Sequence, residues 1–194
     1  MSYADFLERK TAGVDKIGRE FHPNDVHPYL HPWQREIVAW AATTGRAAIW
    51  ADTGLGKTLM QLEWARLTAD EGTALIVAPL AVCAQTAREA EKVGITATYT
   101  RTGDDLGPGL WITNYEMVDH FDPDLLDSVV LDEASILKQS TGKTRTKLIA
   151  HFADVKYRRS ATATPAPNGP EELTNQAEFR GVSSRVNMLA AYFV

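Results

Sequence analysis

The sequence contains a single cysteine, Cys83, and no long hydrophobic run. One thiol excludes an intramolecular disulfide framework and a multi-cysteine zinc site, and it fits a reducing compartment. The longest apolar stretch, residues 74–84, is interrupted by Pro79 and is too short to span a bilayer. The N-terminal ten residues carry charge throughout and lack the apolar core of a secretory signal. We therefore expect a cytoplasmic protein without a membrane partner, in which Cys83 is a small apolar core residue.

The sequence also lacks internal repeats, low-complexity tracts and an excess of positive charge. Its 20 Lys and Arg against 25 Asp and Glu give a net charge of -5, which argues against a chain that simply coats nucleic acid or anionic lipid. Hydrophobic residues make up 44% and charged residues 23%, ordinary values for a globular protein. A length of 194 residues allows one substantial domain and a small appendage, and excludes two large domains.

From residue 46 onward, short apolar segments with β-type residues alternate with segments of helical period. Such alternation predicts an α/β fold with a mostly parallel central sheet and helices on both faces. The predicted strands are 46–51, 73–79, 95–100, 110–113, 128–131 and 157–163. The predicted helices are 56–69, 81–93 and 143–152, with a mostly helical tail from residue 170.

Residues 1–31 differ in composition from the rest and are interpreted as an N-terminal extension, with the main domain spanning 32–194. The extension is broken by prolines and holds three histidines, His22, His27 and His31. These histidines lack the cysteine or carboxylate spacing of a zinc site, so we do not expect them to bind metal. A helix is predicted to begin at Pro32, because proline is favoured in the first turn.

The segment 51–58 reads ADTGLGKT and lies between the first predicted strand and the following helix. Gly54 and Gly56 allow a tight turn whose N–H groups point inward and form a nest for phosphate oxygens. The helix start adds the positive end of its dipole. Lys57 would reach the β- and γ-phosphates and the hydroxyl of Thr58 would bind Mg²⁺.

This segment predicts a nucleotide-binding loop, with one departure from the common pattern. The first position of G-x-x-x-x-G-K-T is Ala51 here instead of glycine. The residues expected to bind nucleotide in the loop are Asp52, Thr53, Gly54, Leu55, Gly56, Lys57 and Thr58.

Two adjacent carboxylates, Asp132 and Glu133, follow the apolar strand 128–131. Strand ends of a parallel sheet form the ligand crevice, so both side chains should face the site of Lys57. Asp132 is then the expected Mg²⁺ partner and Glu133 the expected general base for attack by water. A solvated turn, with Asp132 as a helix N-cap, is the alternative.

Charge and aromatic residues are unevenly placed. Residues 135–194 hold nine Lys or Arg and four Asp or Glu, a net charge of +5, which leaves -10 for residues 1–134. A basic C-terminal third is compatible with a DNA phosphate track or with an uneven surface charge. Four tryptophans lie in or next to apolar segments, and we expect them to pack in the core instead of stacking on bases. They are Trp33, Trp40, Trp50 and Trp111.

Together these motifs resemble superfamily-two helicases, and in detail the small Swi/Snf-related DEAD-like helicases of bacteriophages and prophages. The matching segments are Gln34, residues 52–58, Asp132-Glu-Ala-Ser135 and residues 162–168, in the family's order and spacing. Residues 113–116 (TNYE) and 131–138 (LDEASILK) are also of this type. The resemblance extends from about residue 30 to the C-terminus.

The resemblance implies a RecA-like P-loop NTPase domain that uses ATP and Mg²⁺ and acts on DNA, duplex or forked, as a helicase or translocase. Gln34 matches the glutamine that reads the adenine edge. Pro79, Thr113 and Asn114 match positions that touch the nucleic-acid backbone, although plain strand-end packing is equally compatible with them. A bacterial or phage-host cytoplasm is the implied location.

Thr162 and Thr164 match the motif that couples the phosphate site to the nucleic-acid surface. The segment 160–162 offers an alternative register for the same motif. Ser135 occupies a position where relatives often have His or Asp. The sequence therefore does not predict whether the coupling hydrogen bond usual at this position forms here.

Enzymes of this family bind ATP between two RecA-like domains, and the second domain supplies an arginine finger. Residues after Pro165 are too few to form such a domain. We therefore expect a fragment, or a partner domain from another chain, and hydrolysis near background for the isolated chain. The alternatives are a binding module without catalysis of its own and another class of P-loop ATPase.

Overall fold

The computed structural model describes residues 15–138 and 142–192, and within them the strands form one parallel sheet. The first fourteen residues of the N-terminal extension lie outside the described residues. Six strands pair in the order β1-β6-β5-β2-β4-β3. Their bounds are β1 Arg46–Trp50, β2 Thr73–Ala78, β3 Ala97–Tyr99, β4 Gly109–Asn114, β5 Ser128–Leu131 and β6 Tyr157–Thr162.

Helices cover both faces of this sheet, so the predicted fold class is confirmed. They are α1 Pro32–Thr44, α2 Lys57–Ala69, α3 Leu80–Lys92, α4 Lys143–His151, α5 Leu173–Phe179 and α6 Arg185–Tyr192. Short 3-10 helices occupy Pro23–Asp25, Tyr115–His120, Pro123–Leu125, Ala134–Lys138 and Pro170–Glu172. None of the helices in the described part of the chain combines the length and apolar character needed to cross a bilayer.

The central strand β2 shows why the sheet forms. All six of its residues are buried, and residues 74–78 form a continuous apolar run typical of a parallel strand covered on both faces. Its side chains alternate between two cores. Ile76 packs in the cluster under α1, α2 and α3, which we call the first core. Leu75 and Val77 pack in the cluster under α4 and α5, which we call the second core.

The described part of the N-terminal extension packs against α2. Val26 and Leu30 are almost fully buried in the first core. The backbone N–H of His27 donates to Oε2 of Glu63 on α2, at 2.9 Å. The Nδ1 atoms of His22 and His27 accept hydrogen bonds from backbone N–H groups two residues later, which stabilises local turns.

The expectation that Trp33, Trp40 and Trp50 pack in the core is wrong. Their exposed fractions are 43%, 55% and 45%. Trp33 and Trp40 are seven residues apart and share the outer face of α1, because the opposite face buries Val38 and Ala42. Trp50 lies at the end of edge strand β1, and its Nε1 donates to Oε1 of Gln176 at 2.9 Å.

The expectation for Trp111 is confirmed, since its partly buried ring packs against the second core. The tryptophan that is fully buried is Trp64 of α2. Cys83 is also buried, as expected, and burial raises the pKa of its thiol to about 11.

The contrast between Trp64 and Trp40 gives a stability prediction. Trp64→Phe should lower the free energy of unfolding by about 1–3 kcal/mol, because the smaller ring leaves a cavity in the first core. Trp40→Phe should change it by less than about 0.5 kcal/mol, because that ring is half exposed. Urea unfolding followed by circular dichroism measures both values, and equal losses would contradict the assigned burial.

Candidate nucleotide-binding site

The loop between β1 and α2 has the backbone shape of a phosphate nest. Gly54 and Gly56 have φ angles of +83° and +72°, a region that side chains other than glycine rarely adopt. A Cβ atom on Gly56 would also collide with Nε2 of Gln34. The backbone conformation therefore requires glycine at position 54. At position 56 both the backbone conformation and the lack of space for a Cβ atom require it.

Alanine at position 51 fits this loop without strain. The non-glycine residues with positive φ among those described are Asp70 and Glu133, so Ala51 adopts an ordinary conformation. Its carbonyl oxygen accepts a hydrogen bond from Nζ of Lys57 at 2.8 Å, and the carbonyl of Asp52 accepts a second at 3.1 Å. The ammonium of Lys57 thus lies within the loop that would surround the phosphates.

Gln34 joins the start of α1 to this loop. Its Oε1 accepts from the backbone N–H of His31 at 2.8 Å, and its Nε2 donates to the carbonyl of Leu55 at 2.9 Å. The side chain is 5% exposed. The amide that the resemblance assigns to the adenine edge therefore also fixes the shape of the phosphate-binding loop.

Asp132 follows β5 at the same sheet edge as the loop. Its N–H donates to the carbonyl of Val77 at 2.8 Å, which continues the β2–β5 pairing by one residue. Its Oδ1 accepts from the N–H of Glu133 at 3.0 Å. Burial raises the pKa of the Asp132 carboxyl, and nearby groups that include Arg159 oppose this shift.

Glu133 adopts a strained backbone conformation beside the coupling threonines. Its φ is +51°, which costs a residue with a side chain on the order of 1–3 kcal/mol. Its Oε1 accepts a hydrogen bond from Oγ1 of Thr162 at 3.4 Å. Oγ1 of Thr162 in turn accepts from the N–H of Thr164 at 3.1 Å. Thr162 therefore links the expected general base to the segment after β6.

Two serines of the predicted motifs have different surroundings. Oγ of Ser135 donates to the carbonyl of Glu133 at 3.1 Å, a contact within the same turn. Oγ of Ser160 bonds Oε1 of Gln176 at 3.0 Å, on the side of the sheet that α5 covers. The coupling motif could occupy residues 162–164 or residues 160–162, and Thr162 belongs to both. Ser160, which belongs only to the second register, does not contact Glu133.

Two further residues lie close to the carboxylate pair: Tyr115, which the sequence analysis named only within the matching segment 113–116, and Arg159, which it missed. The hydroxyl of Tyr115 donates to the carbonyl oxygen of Asp132 at 2.6 Å, and its desolvation raises the pKa of that phenol. Arg159 of β6 is fully buried, and its guanidinium nitrogens make no hydrogen bond within the described residues. Burial lowers the pKa of Arg159 to about 9, against the attraction of Asp132. Two consecutive arginines in a predicted strand, Arg158 and Arg159, were the available signal.

A cleft of about 490 Å³ opens beside Glu133. Its lining residues are Pro79, Leu80, Tyr115, Glu116, Glu133, Ser135 and Ile136. Of the three positions expected to touch nucleic acid, Pro79 lines this cleft. Thr113 and Asn114 are buried at the end of β4, and the side chain of Asn114 is bonded to Tyr99 and Glu116.

The donor atoms at this edge fit Mg²⁺ bound together with phosphates. Across residues 15–138 and 142–192, no cluster of three or more His, Cys, Asp or Glu side chains forms a metal site by itself. Magnesium commonly takes one or two carboxylates and completes its shell with water and substrate phosphates. The hydroxyl of Thr58 and the desolvated carboxylate of Asp132 supply such oxygen donors.

The basic C-terminal third is less available to DNA than its composition suggests. Arg158 and Arg159 are buried. Arg145 donates to Oδ1 of Asn175 and Oε2 of Glu178, both at 2.9 Å. Lys147 is paired with Asp119. Much of the excess positive charge of residues 135–194 therefore lies inside the domain or is paired.

Sequence comparison finds helicases among curated proteins, whereas no protein-family model matches the chain. The DNA annealing helicase and endonuclease ZRANB3 of Mus musculus is 27% identical over 179 residues, covering 82% of this chain and 17% of that protein. The Bos taurus protein of the same name is 28% identical and is covered over 16% of its length. The chain thus spans about a sixth of these curated relatives.

Structural comparison finds the same fold in an ATPase core and in helicase domains. The Sulfolobus solfataricus SWI2/SNF2 ATPase core in complex with dsDNA has a TM-score of 0.71 at 20% identity, covering 89% of this chain and 40% of that one. The UvsW helicase from bacteriophage T4 has a TM-score of 0.62 at 18% identity, covering 95% of this chain and 66% of that one. The Pyrococcus furiosus Hef helicase domain has a TM-score of 0.60 at 17% identity, covering 78% of this chain and 36% of that one.

The comparisons confirm the predicted fold. The chain has the α/β fold of the SWI2/SNF2 ATPase core and of the helicase domains named above, and its sequence is similar to that of a DNA annealing helicase. A phage or prophage source stays a prediction.

The position of Lys57 gives a binding prediction. Lys57→Ala should lower the affinity for a fluorescent ATP analogue about ten- to hundredfold, because hydrogen bonds to charged groups contribute about 1.5–3 kcal/mol. Lys92→Ala is the matched control, since Lys92 pairs with Glu89 on the surface of α3. Unchanged affinity of a folded Lys57→Ala protein would contradict the loop assignment.

The buried charge of Asp132 predicts a pH-dependent gain in stability. Its folded pKa is raised above the ordinary aspartate value, so at neutral pH the ionised group destabilises the nucleotide-free protein. Asp132→Asn should therefore raise the free energy of unfolding at pH 7. This advantage should shrink as pH falls through the raised pKa and vanish below the ordinary one, where both states are protonated.

Asp119→Asn is the control of opposite sign. Lys147 lowers the pKa of this exposed carboxyl, so the substitution should leave stability unchanged or reduce it slightly. Urea unfolding between pH 4 and pH 8, without nucleotide or Mg²⁺, compares the two variants. A loss of stability in Asp132→Asn at pH 7 would contradict the assigned shift.

Proposed function

We propose that this chain is the ATP-binding domain of an ATP-dependent DNA helicase or duplex DNA translocase. The observation that carries the proposal is the convergence of four motifs on one sheet edge. Gln34 contacts the glycine loop, which follows β1. Asp132 and Glu133 follow β5, and Thr162 at the end of β6 contacts Glu133.

Each residue has a defined part in the proposed reaction. The backbone N–H groups of residues 54–57 and the ammonium of Lys57 bind the phosphates, with Asp52, Thr53 and Leu55 completing the loop. Thr58 and Asp132 hold Mg²⁺, which, when bound with ATP, neutralises charge on the β- and γ-phosphates. The carboxylate of Glu133 accepts a proton from the attacking water. Thr162 orients that carboxylate through its hydroxyl.

DNA is the proposed partner, and two findings support it. One structural neighbour is described in complex with dsDNA, and the curated relatives are described as DNA annealing helicases. The cleft at Pro79, Leu80 and Glu116 is the surface we assign to the nucleic acid, because it adjoins both Glu133 and the end of β4. Exposed Leu80 offers an apolar contact there, with 61% of its surface accessible.

A complete ATPase site requires an arginine from outside this domain, and we propose that a second RecA-like domain supplies it. Two arginines of the C-terminal part are already buried or engaged. Arg159 is fully buried in β6, and Nε of Arg180 donates to the carbonyl of Gln176. An arginine finger contributes about 10³- to 10⁵-fold to turnover, so the 194-residue chain alone should hydrolyse ATP near background.

Two alternative functions share parts of the site. A nucleotide-dependent binding module would keep Lys57 and Gln34 and would not hydrolyse ATP in any assembly. Another class of P-loop ATPase would keep Lys57 and Asp132, but it gives no role to the Gln34–Leu55 contact or to Thr162 beside Glu133. These two contacts favour the helicase interpretation.

ATP turnover with and without duplex DNA tests the proposal. The 194-residue chain should bind Mg-ATP saturably and show turnover near background in both conditions, because the assay lacks the second domain proposed to supply the arginine. Adding the second domain, from a longer form of the protein, should produce DNA-stimulated turnover that Glu133→Gln abolishes.

Two results would contradict this prediction. Strong DNA-stimulated turnover by the short chain, sensitive to Glu133→Gln, would show that no outside arginine is needed. Absence of turnover in the longer form, with intact nucleotide binding, would favour the binding module.

A further inference from the structure

One peptide group joins Asp132 to Glu133, the two residues whose side chains supply the carboxylates of the site. The metal-binding side chain precedes this peptide and the general base follows it, so its orientation sets the direction of both. Its carbonyl oxygen belongs to Asp132 and accepts a hydrogen bond from the hydroxyl of Tyr115 at 2.6 Å. This contact comes from a different strand end and from outside the motifs assigned above to ATP.

The orientation of this peptide needs such a contact. The N–H of Asp132 is fixed by the carbonyl of Val77, but the chain leaves β5 immediately afterwards. Glu133 then adopts φ of +51° without being glycine. A conformation of this kind persists when surrounding groups hold it in place. The hydroxyl of Tyr115 holds the carbonyl on one side of the strained residue, and Oγ of Ser135 contacts the carbonyl on the other.

Tyr115 is itself anchored by the sheet. It follows Asn114, the last residue of β4, and Asn114 pairs with Ala78 of β2. Strand β2 also pairs with β5, where Val77 aligns with Leu131. The phenol and the Asp132 carbonyl therefore project from strands that flank β2, at a separation that the strand pairing fixes. The Tyr115 ring also lines the cleft beside Glu133.

We propose that Tyr115 is a positioning residue that orients the Asp132–Glu133 peptide and so sets the geometry with which Asp132 binds Mg²⁺. The inference rests on the proposed function, because it assumes that Asp132 is the metal carboxylate. It adds a residue from the end of β4, one whose hydroxyl contacts the backbone carbonyl of Asp132 and not the carboxylate.

Tyr115→Phe tests this role, because it removes one oxygen atom and keeps the ring. The measurement is the affinity for a fluorescent ATP analogue in the presence of Mg²⁺ and in EDTA, on the 194-residue chain. Partners that orient a metal ligand typically contribute about 10- to 100-fold to metal affinity, so we expect the Mg²⁺-dependent gain in affinity to fall about tenfold. Affinity in EDTA should stay as in the wild type, since the phosphate loop is untouched.

Tyr99→Phe is the matched control. Its hydroxyl donates to Oδ1 of Asn114 at 3.3 Å and does not contact the Asp132–Glu133 turn. This variant should keep the full Mg²⁺-dependent gain. Thermal unfolding of both variants reports whether the fold is retained.

The possible outcomes separate this inference from the proposed function. A Tyr115→Phe protein with the wild-type Mg²⁺-dependent gain would overturn the inference and leave the proposed function standing. Equal losses in Mg²⁺ and in EDTA would also overturn it, because they would indicate a general structural role. A wild-type chain without any Mg²⁺-dependent gain would instead overturn the proposed function on which the inference rests.

Discussion

Parallel strand pairing is the constraint on which the candidate site depends. Because all six described strands run in one direction, the ends of β1, β2, β5 and β6 meet at one sheet edge. Each strand end presents different functional groups. The glycine loop follows β1, Pro79 follows β2, two carboxylates follow β5, and Thr162 is the last residue of β6. No side chain has to reach far, since the backbone register already brings these groups together.

This arrangement places polar groups where burial is costly. Asp132 is desolvated, Glu133 is strained, and the buried guanidinium of Arg159 makes no hydrogen bond within the described residues. Buried polar groups without partners destabilise a fold unless a ligand or ordered water satisfies them. Mg²⁺ and phosphates would supply opposite charge for Asp132 and Lys57, so nucleotide should stabilise the domain by mass action. The same groups that lower the stability of the empty domain thus favour ligand binding.

Electrostatics at the cleft also limits how the proposed DNA partner would approach. Glu116 and Glu133 both line it, and a hydrogen bond from Asn114 lowers the pKa of the Glu116 carboxyl, which keeps it ionised. Phosphates placed directly against these carboxylates would be repelled. The buried and paired arginines of the C-terminal third do not compensate there. In the proposed function, a duplex at this cleft would therefore place its backbone toward Leu80 and the start of α3, away from Glu116 and Glu133.

The sequence predicted the parts of this site that local rules determine, and it missed those that depend on packing. Strand and helix alternation predicted the sheet, and the glycines predicted the loop, because both are local patterns. Which side of α1 faces solvent depended on neighbouring helices, so Trp33 and Trp40 were misplaced. Tyr115 lies 17 residues from Asp132 in the chain, and only the pairing of β4 and β5 with β2 brings them together. A sequence motif can thus predict which carboxylates act at the site. The groups that orient these carboxylates depend on the order of the strands in the sheet, which cannot be predicted from any single segment.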